Sequence, residues 1–184
     1  MNNNLGFRMM PRVVRRKTNI NKKIDYGTNR TVSNMKWGTV TWKLFHWISA
    51  NIDEDFYKRK QYELHNIIKN ILHNLPCPTC KKHAVDFLRT YDISKAKSKD
   101  QFIQYFYFFH NIVNDRRLIV NPNRIVLDDY KKMNGVPVIN NWYKDFKNNL
   151  GINLNDFMNK QKIAKVKNNM LEFLKKNRQY FSNL

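Results

Sequence analysis

An all-α fold, a small helical bundle with extensions, is what this sequence predicts, and three observations predict it. Glycine and proline number only five each in 184 residues, too few for the turns of a β-rich chain. Apolar residues recur at three- and four-residue steps in several long segments, and none alternates with the period of two expected of a half-buried strand. Aromatics are abundant, with 12 Phe, 9 Tyr and 4 Trp, so a core is available and the length suits one domain with tails.

Residues 1–34 show no sustained period and read as a flexible basic arm. A first helix is predicted over about 39–51, where Trp42, Phe45, His46 and Ser49 stand at helical spacing. After the IDED turn, 55–74 reads as a long amphipathic helix with Tyr62, Ile67, Ile68, Ile71 and Leu72 toward a core, ended by Pro76. A third helix starts at the CxxC motif and carries Val85, Phe87 and Leu88 to about residue 91. The polar DISKAKSKD segment reads as a loop, with Ser98 as N-cap of the next helix. That helix, about 99–117, is the most hydrophobic, with Phe102, Ile103, Phe106, Phe109 and Val113 on one side. A short helix around 124–133 follows the turn at Asn121 and Pro122. The C-terminal part repeats a helical pattern in Ile163, Val166, Met170, Leu171 and Leu174. The expected organisation is an arm (1–34), a helical domain (35–135) and a helical extension (136–184).

The net charge of +20 sits mostly in the flanks. Residues 1–36 hold nine Lys and Arg against one acid, and 139–184 hold nine against three. Such basic tails can contact nucleic acid or an anionic membrane, but most only solvate a chain, and no nucleic-acid reader motif is present. The longest aromatic-apolar stretch, YFYFFHNIV at 105–113, is far short of a membrane span. The N-terminal residues lack the apolar segment of a secretory signal. They faintly resemble a mitochondrial presequence, being basic and free of acids until Asp25.

The two cysteines stand together in LPCPTCKKHA at 75–84. Thiol chemistry runs through a thiolate, and a helix N-terminus lowers a cysteine's pKa through unpaired N–H groups and the macrodipole. Cys77 stands at such a terminus, Pro78 suits the first turn, and Lys81, Lys82 and His83 add positive charge. The pair is apt for redox exchange. Two other readings stay open on the motif alone. Zinc has four ligands of the right kinds in His73, Cys77, Cys80 and His83, although structural sites usually draw their halves from separated segments. Two unreactive thiols are the plainest alternative. A thioredoxin-like domain needs strands around the motif, and the pattern shows none.

Two further motifs flank the pair. In WGTVTWKLFH (37–46), Gly38, Trp42 and His46 step by four and share a helix face; in HNIVN (110–114), His110 and Asn114 do the same. Core packing explains Trp42 alone, and a satisfied buried histidine explains His46 or His110 alone. With the CxxC between them, the three motifs resemble the Erv/ALR family of FAD-dependent sulfhydryl oxidases, in order and with similar spacing over about 37–133. Single-pair members of this family occur in large DNA viruses, and the Lys-, Asn- and Ile-rich composition fits an A+T-rich coding genome.

The resemblance implies a four-helix bundle holding FAD, with a short fifth helix closing the pocket. It implies cofactor contacts from Trp37, Gly38, Thr41, Trp42, His46, Cys80, His83, His110, Asn111, Val113, Asn114, Tyr130 and Lys131, and no metal. Cys77 and Cys80 would be catalytic, Cys80 against the flavin and Cys77 exchanging with substrate. Electrons would pass from protein dithiols through the pair and FAD to O2, giving H2O2. A non-enzymatic helical zinc- or nucleic-acid-binding module is the alternative. The sequence departs from the family pattern in two places. Asn121 and Pro122 stand near a usual lysine-proline step, with Arg124 or Lys131 as substitutes for the charge, and Tyr130 stands near a usual tryptophan. No cysteines remain for a shuttle disulfide, so substrates reach Cys77 directly or a thioredoxin-like carrier mediates. The family further implies a homodimer through the first two helices, and a viral relationship would place the protein in host cytoplasm or virion.

Overall fold

The computed structural model describes residues 36–147 and 154–184. Among them are seven α-helices: α1 Lys36–Asn51, α2 Glu54–His73, α3 Pro78–Thr90, α4 Lys99–Arg116, α5 Leu127–Lys132, α6 Gly135–Asp145 and α7 Leu154–Lys176. No strand occurs among the described residues; Ile52 and Phe181 form an isolated β-bridge. The expected all-α class is what the chain adopts. The basic arm expected over 1–34 lies outside the described residues.

The first helix is the centre of the molecule. Every residue from Leu44 to Ile52 is buried, so its C-terminal half has no solvent face, unlike the one-sided stripe of an ordinary surface helix. α4, α5 and α6 pack around it, while α2 packs on α3, α4 and α7.

Local chemistry sets the helix ends. Asp53 caps α2 by accepting the Phe56 N–H at 2.7 Å, and Glu54 and Asp55 place acids in the first turn, where the macrodipole favours them. The core face of α2 runs through Tyr57, Leu64, Ile68 and Ile71. Tyr62, expected toward the core, is 78 % exposed: two residues before Leu64, it points about 200° away around the helix.

Ser98 caps α4 as expected, in a capping box: Ser98 Oγ accepts the Gln101 N–H (3.2 Å) and Gln101 Oε1 accepts the Ser98 N–H (3.3 Å). Replacing Ser98 with alanine removes the first of these bonds. The expected cost is about 1 kcal/mol, or a thermal midpoint lowered by roughly 2–4 °C in a circular dichroism melt.

The preceding loop is less open than its polarity predicts. It holds a 3-10 turn, Ile93–Lys95, with Ile93 and Ala96 buried. The Tyr57 hydroxyl donates to the Ala96 carbonyl at 2.6 Å.

α6 is a helix that the apolar pattern did not single out, because Gly135 and Pro137 stand in its first turn. Both are tolerated there, since the first-turn N–H groups have no partner inside a helix; Asn134 Oδ1 accepts the Val136 N–H at 2.9 Å. Gly135 is also required by space, because a Cβ would fall inside the Trp47 ring. In α7 the expected Ile163, Val166, Met170 and Leu174 are buried, and Leu171 is half-buried beside a buried Phe173. Trp142, Phe146, Phe173 and Phe181 thereby join the core that α1 and α2 build.

Candidate active site

The cysteine pair lies where the motif placed it. Cys77 is the N-cap of α3, its Sγ accepting the Cys80 N–H at 3.2 Å, and Pro78 opens the helix. Cys77 and Cys80 form a disulfide, with Cα atoms 5.2 Å apart. Once reduced, a Cys77 thiolate would sit at the positive end of the α3 dipole and accept a backbone N–H, which lowers its pKa. Cys80 follows within the first turn. With Ala84 and Phe87 it forms an i, i+4, i+7 stripe, and the last two are the only buried residues of α3.

That stripe leads to the second part of the site. Phe87 stacks on Phe109 of α4, centroids 4.0 Å apart and 8° from parallel. Phe109 meets Trp42 of α1 edge-on at 5.0 Å, and Trp42 stacks on His110 at 4.2 Å. His110 Nδ1 and His46 Nε2 share a hydrogen bond of 3.1 Å, and the Tyr130 ring of α5 lies 4.9 Å from that of His46. The two flanking motifs, 64 residues apart at their histidines, thus meet in one aromatic cluster.

Burial keeps this cluster neutral. Desolvation, with a smaller contribution from His110, pushes His46 down to about 3, and desolvation and Arg117 push His110 down to about 4. The shared bond therefore contains one proton. Whichever ring donates it decides whether His46 Nδ1 is a bare acceptor or a donor. His46 Nδ1 and Asn111 Oδ1 are both buried without a hydrogen-bond partner among the described residues. Such atoms cost about 1–3 kcal/mol each when left unmade, so they call for a polar ligand. Gly38 contributes open space: a Cβ there would meet no atom within 4 Å. A flat, heteroatom-bearing ring system fits this donor set, and FAD is such a group. A cleft of about 290 Å³ bounded by His46, Ser49, Arg124, Asp128 and Lys131 opens beside it.

Other expected site residues are placed as follows. Thr41 is buried and donates to the Trp37 carbonyl at 2.6 Å; Trp37, Gly38 and Val113 are half-buried. Asn114 is buried, and its carbonyl accepts the N–H groups of Arg117 and Ile119, closing the end of α4. Lys131 is exposed and paired with Asp128 at 2.8 Å. Arg124 pairs with Asp100 at 3.2 Å. His83 is exposed on α3. His73, the fourth member of the zinc alternative, is exposed and bonded to the Lys69 carbonyl. Among the described residues, no three His, Cys, Asp or Glu side chains converge as a metal site. Sequence reasoning counted Phe87 and Phe109 only as core. The i+7 step from Cys80 to Phe87 was the available signal for the link.

A pH test follows from the histidines. The unfolded chain takes up their protons near pH 6.5, whereas the folded chain refuses them until about 4 and 3. Stability is therefore complete above about pH 6.5 and falls as the pH drops through that window. Buried His65, also pushed down to about 4 by desolvation and then by Lys69 and Lys97, adds to the same slope. Urea midpoints should decline from pH 7 to 4.5, and a His46→Asn, His110→Asn double variant should show a shallower decline. A flat wild-type profile would contradict the neutral pair.

Fold and site together define a helical protein whose disulfide-bearing helix is joined by aromatic contacts to a buried, neutral histidine pair. The Erv1/Alr family matches residues 39–124. A protein named FAD-linked sulfhydryl oxidase, from a Namibian warthog isolate of African swine fever virus, is 30% identical over 100 residues, covering 54% of this chain and 80% of the relative. The chain belongs to the Erv1/Alr family. A Malawi tick isolate's protein of the same name is 29% identical over 107 residues, 58% of this chain and 86% of the relative. A relative from Invertebrate iridescent virus 3, provisionally given a similar name, is 31% identical over 81 residues, 44% of this chain and 55% of the relative. The match thus spans little more than half of that last protein. No solved structure matches the chain.

Proposed function

We propose that this chain is an FAD-dependent sulfhydryl oxidase that forms disulfides in protein thiols and reduces O2 to H2O2. Membership of the family and the names of its viral relatives support this reading. The observation that carries it is the Cys77–Cys80 disulfide at the head of α3, tied through Phe87 and Phe109 to a pocket with two unpartnered buried polar atoms. Residues 35–135 form the proposed oxidase unit.

The residues divide the work. A substrate thiolate attacks Cys77 Sγ, making a mixed disulfide and releasing Cys80 as a thiolate. A second substrate thiolate then displaces Cys77, leaving the substrate with a disulfide and the pair with two electrons. Cys77, at the N-cap, is the port for substrate or for a thioredoxin-like carrier. Cys80, on the stripe toward α4, faces the pocket. Bound FAD would supply the two-electron relay from this dithiol to O2. Trp42, His46, His110 and Tyr130 would hold its flat rings, with Asn111 and His46 Nδ1 bonding its polar edge. Gly38 leaves room, and Lys131 and Arg124 offer charge to its phosphates. Trp37, Thr41, Val113 and Asn114 support this wall from behind. His83, exposed on α3 beside the pair, is the remaining residue proposed to contact the cofactor.

A homodimer through the first two helices would be restricted to what α6 leaves of α1 and α7 leaves of α2. The deciding experiment is the visible spectrum of the purified chain together with oxygen uptake. A yellow protein that consumes oxygen with dithiothreitol is expected. A colourless one that takes up no oxygen after incubation with FAD would overturn the proposal.

A further inference from the structure

α5 has little of its own to hold it in place. It is six residues long, lacks a side-chain hydrogen bond at its N-cap, and buries only Leu127. A helix so short is not stable by itself in water, so its position is set by what grips it from outside. It nevertheless carries Tyr130, the residue that meets His46.

The grip comes from the end of α1 and from the last residues of the chain. Asn51 donates through Nδ2 to the Tyr130 carbonyl at 2.8 Å and to the Trp47 carbonyl at 3.0 Å. Asn183 Nδ2 donates to the Lys131 carbonyl at 2.7 Å and to Asn51 Oδ1 at 3.3 Å. The Asn183 carbonyl accepts the Gly135 N–H at 2.7 Å, and the Ser182 N–H donates to the Asn51 carbonyl at 2.9 Å. Phe181 stacks on Trp47, whose Nε1 donates to the Met133 carbonyl at 2.9 Å. Asn183 itself has φ 62°, a left-handed conformation that asparagine tolerates better than most residues. The C-terminal end of α5 and the loop after it are therefore bonded to one asparagine pair.

We infer that Asn183 is a positioning residue: by joining the Lys131 carbonyl to the Asn51 amide it holds Tyr130 against His46, so the C-terminal tail completes the cofactor pocket. The inference rests on the reading of His46 and Tyr130 as a wall of that pocket. Its physical logic is orientation. Asn51 Oδ1 accepts from Asn183, which turns the Asn51 amide so that Nδ2 faces the Tyr130 carbonyl. Without Asn183, α5 retains one side-chain bond from α1 and a single buried residue.

Two measurements on the chain of 184 residues test it. Asn183→Gly keeps the left-handed backbone and its carbonyl but loses the side-chain donor, and Asn183→Asp keeps the shape but donates nothing. In both, without added FAD, amide hydrogen exchange across 127–132 should quicken by roughly tenfold, a change on the scale of two lost hydrogen bonds. Exchange in α2 and α4 should stay as in the wild type. FAD titration by fluorescence should show a Kd raised by about fivefold to tenfold while the thermal midpoint falls only by the few degrees that two lost hydrogen bonds cost, a loss of affinity that general destabilisation of a still-folded chain would not give. Unchanged exchange at 127–132, an Asn183→Asp variant indistinguishable from wild type, or faster exchange with unaltered FAD affinity would each overturn the inference. A wild-type chain that binds no FAD overturns instead the functional reading above, while α5 exchange still decides whether Asn183 holds the helix.

Discussion

Replacing Cys80 with alanine is expected to leave a folded, flavin-bearing protein that takes up no oxygen with dithiol. The loss should be on the order of a thousandfold or more, the scale felt when a group that makes and breaks the reacting bond is removed. Folding should survive, because Cys80 is not part of the buried core and α3 is held by Ala84 and Phe87. Cys77→Ala should abolish turnover as well, since no other cysteine can replace it. The two variants should differ in their remaining thiol. In Cys80→Ala, Cys77 stands at a helix N-terminus beside exposed Lys81 and Lys82. A helix N-terminus and neighbouring cations favour the reactive thiolate over the thiol. Cys77 should react with an aromatic disulfide reagent faster than Cys80 does in Cys77→Ala, and retain the mixed disulfide because no neighbour displaces it. Equal rates would reject the assignment of Cys77 as the outward port, and oxygen uptake surviving in either variant would reject the pair as the redox centre.

Phe87→Ala carries the largest expected effect on structure. Removing a buried phenylalanine costs about 3–5 kcal/mol, and this one is the main anchor of its helix. Phe87 stacks on Phe109 and has further ring contacts with Tyr91, Tyr105 and Phe108. The loss should fall on α3 first, because α1, α4 and the histidine pair are held by separate contacts. FAD affinity should then change little while turnover drops steeply, since the disulfide helix is loosened from the pocket it serves. Calorimetry, flavin titration and oxygen uptake on one preparation separate these effects. An unaltered melting point, or parallel loss of flavin and turnover, would show that Phe87 is not the link between the two halves of the site.

Much of the fold was legible in the chain, for reasons that differ by element. Pro78 after Cys77 fixed where α3 begins, and Ser98 with Gln101 fixed the start of α4, because caps are chemistry between residues three apart. The apolar spacing of α7 named four of its buried residues. Tyr62 misled because its ring counts as apolar wherever it stands on a helix, and only the neighbours of α2 decide which face is covered. α6 escaped because Gly135 and Pro137 disrupt a periodic pattern, although both are permitted in a first turn. At the site, each motif named its own face: Trp42 with His46 on one helix, His110 with Asn114 on another. The prediction that these faces carry one site drew on family resemblance, and the structure joins them at a 3.1 Å bond. His83, next to the CxxC in sequence, is exposed on α3.

What the sequence determined by itself was local: which segments coil, where they start and stop, and which residue types offer thiol, imidazole and aromatic chemistry. These follow from propensity, capping and period, all of which act within a few residues. Only the tertiary structure decided that the C-terminal half of α1 is enclosed on every side, that Tyr130 lies on His46, and that Asn183 meets Asn51 across 132 residues. A periodic stripe says that a face must be covered, but apolar surface is buried without regard to partner. Which helix covers it is settled by how all the described helices pack at once.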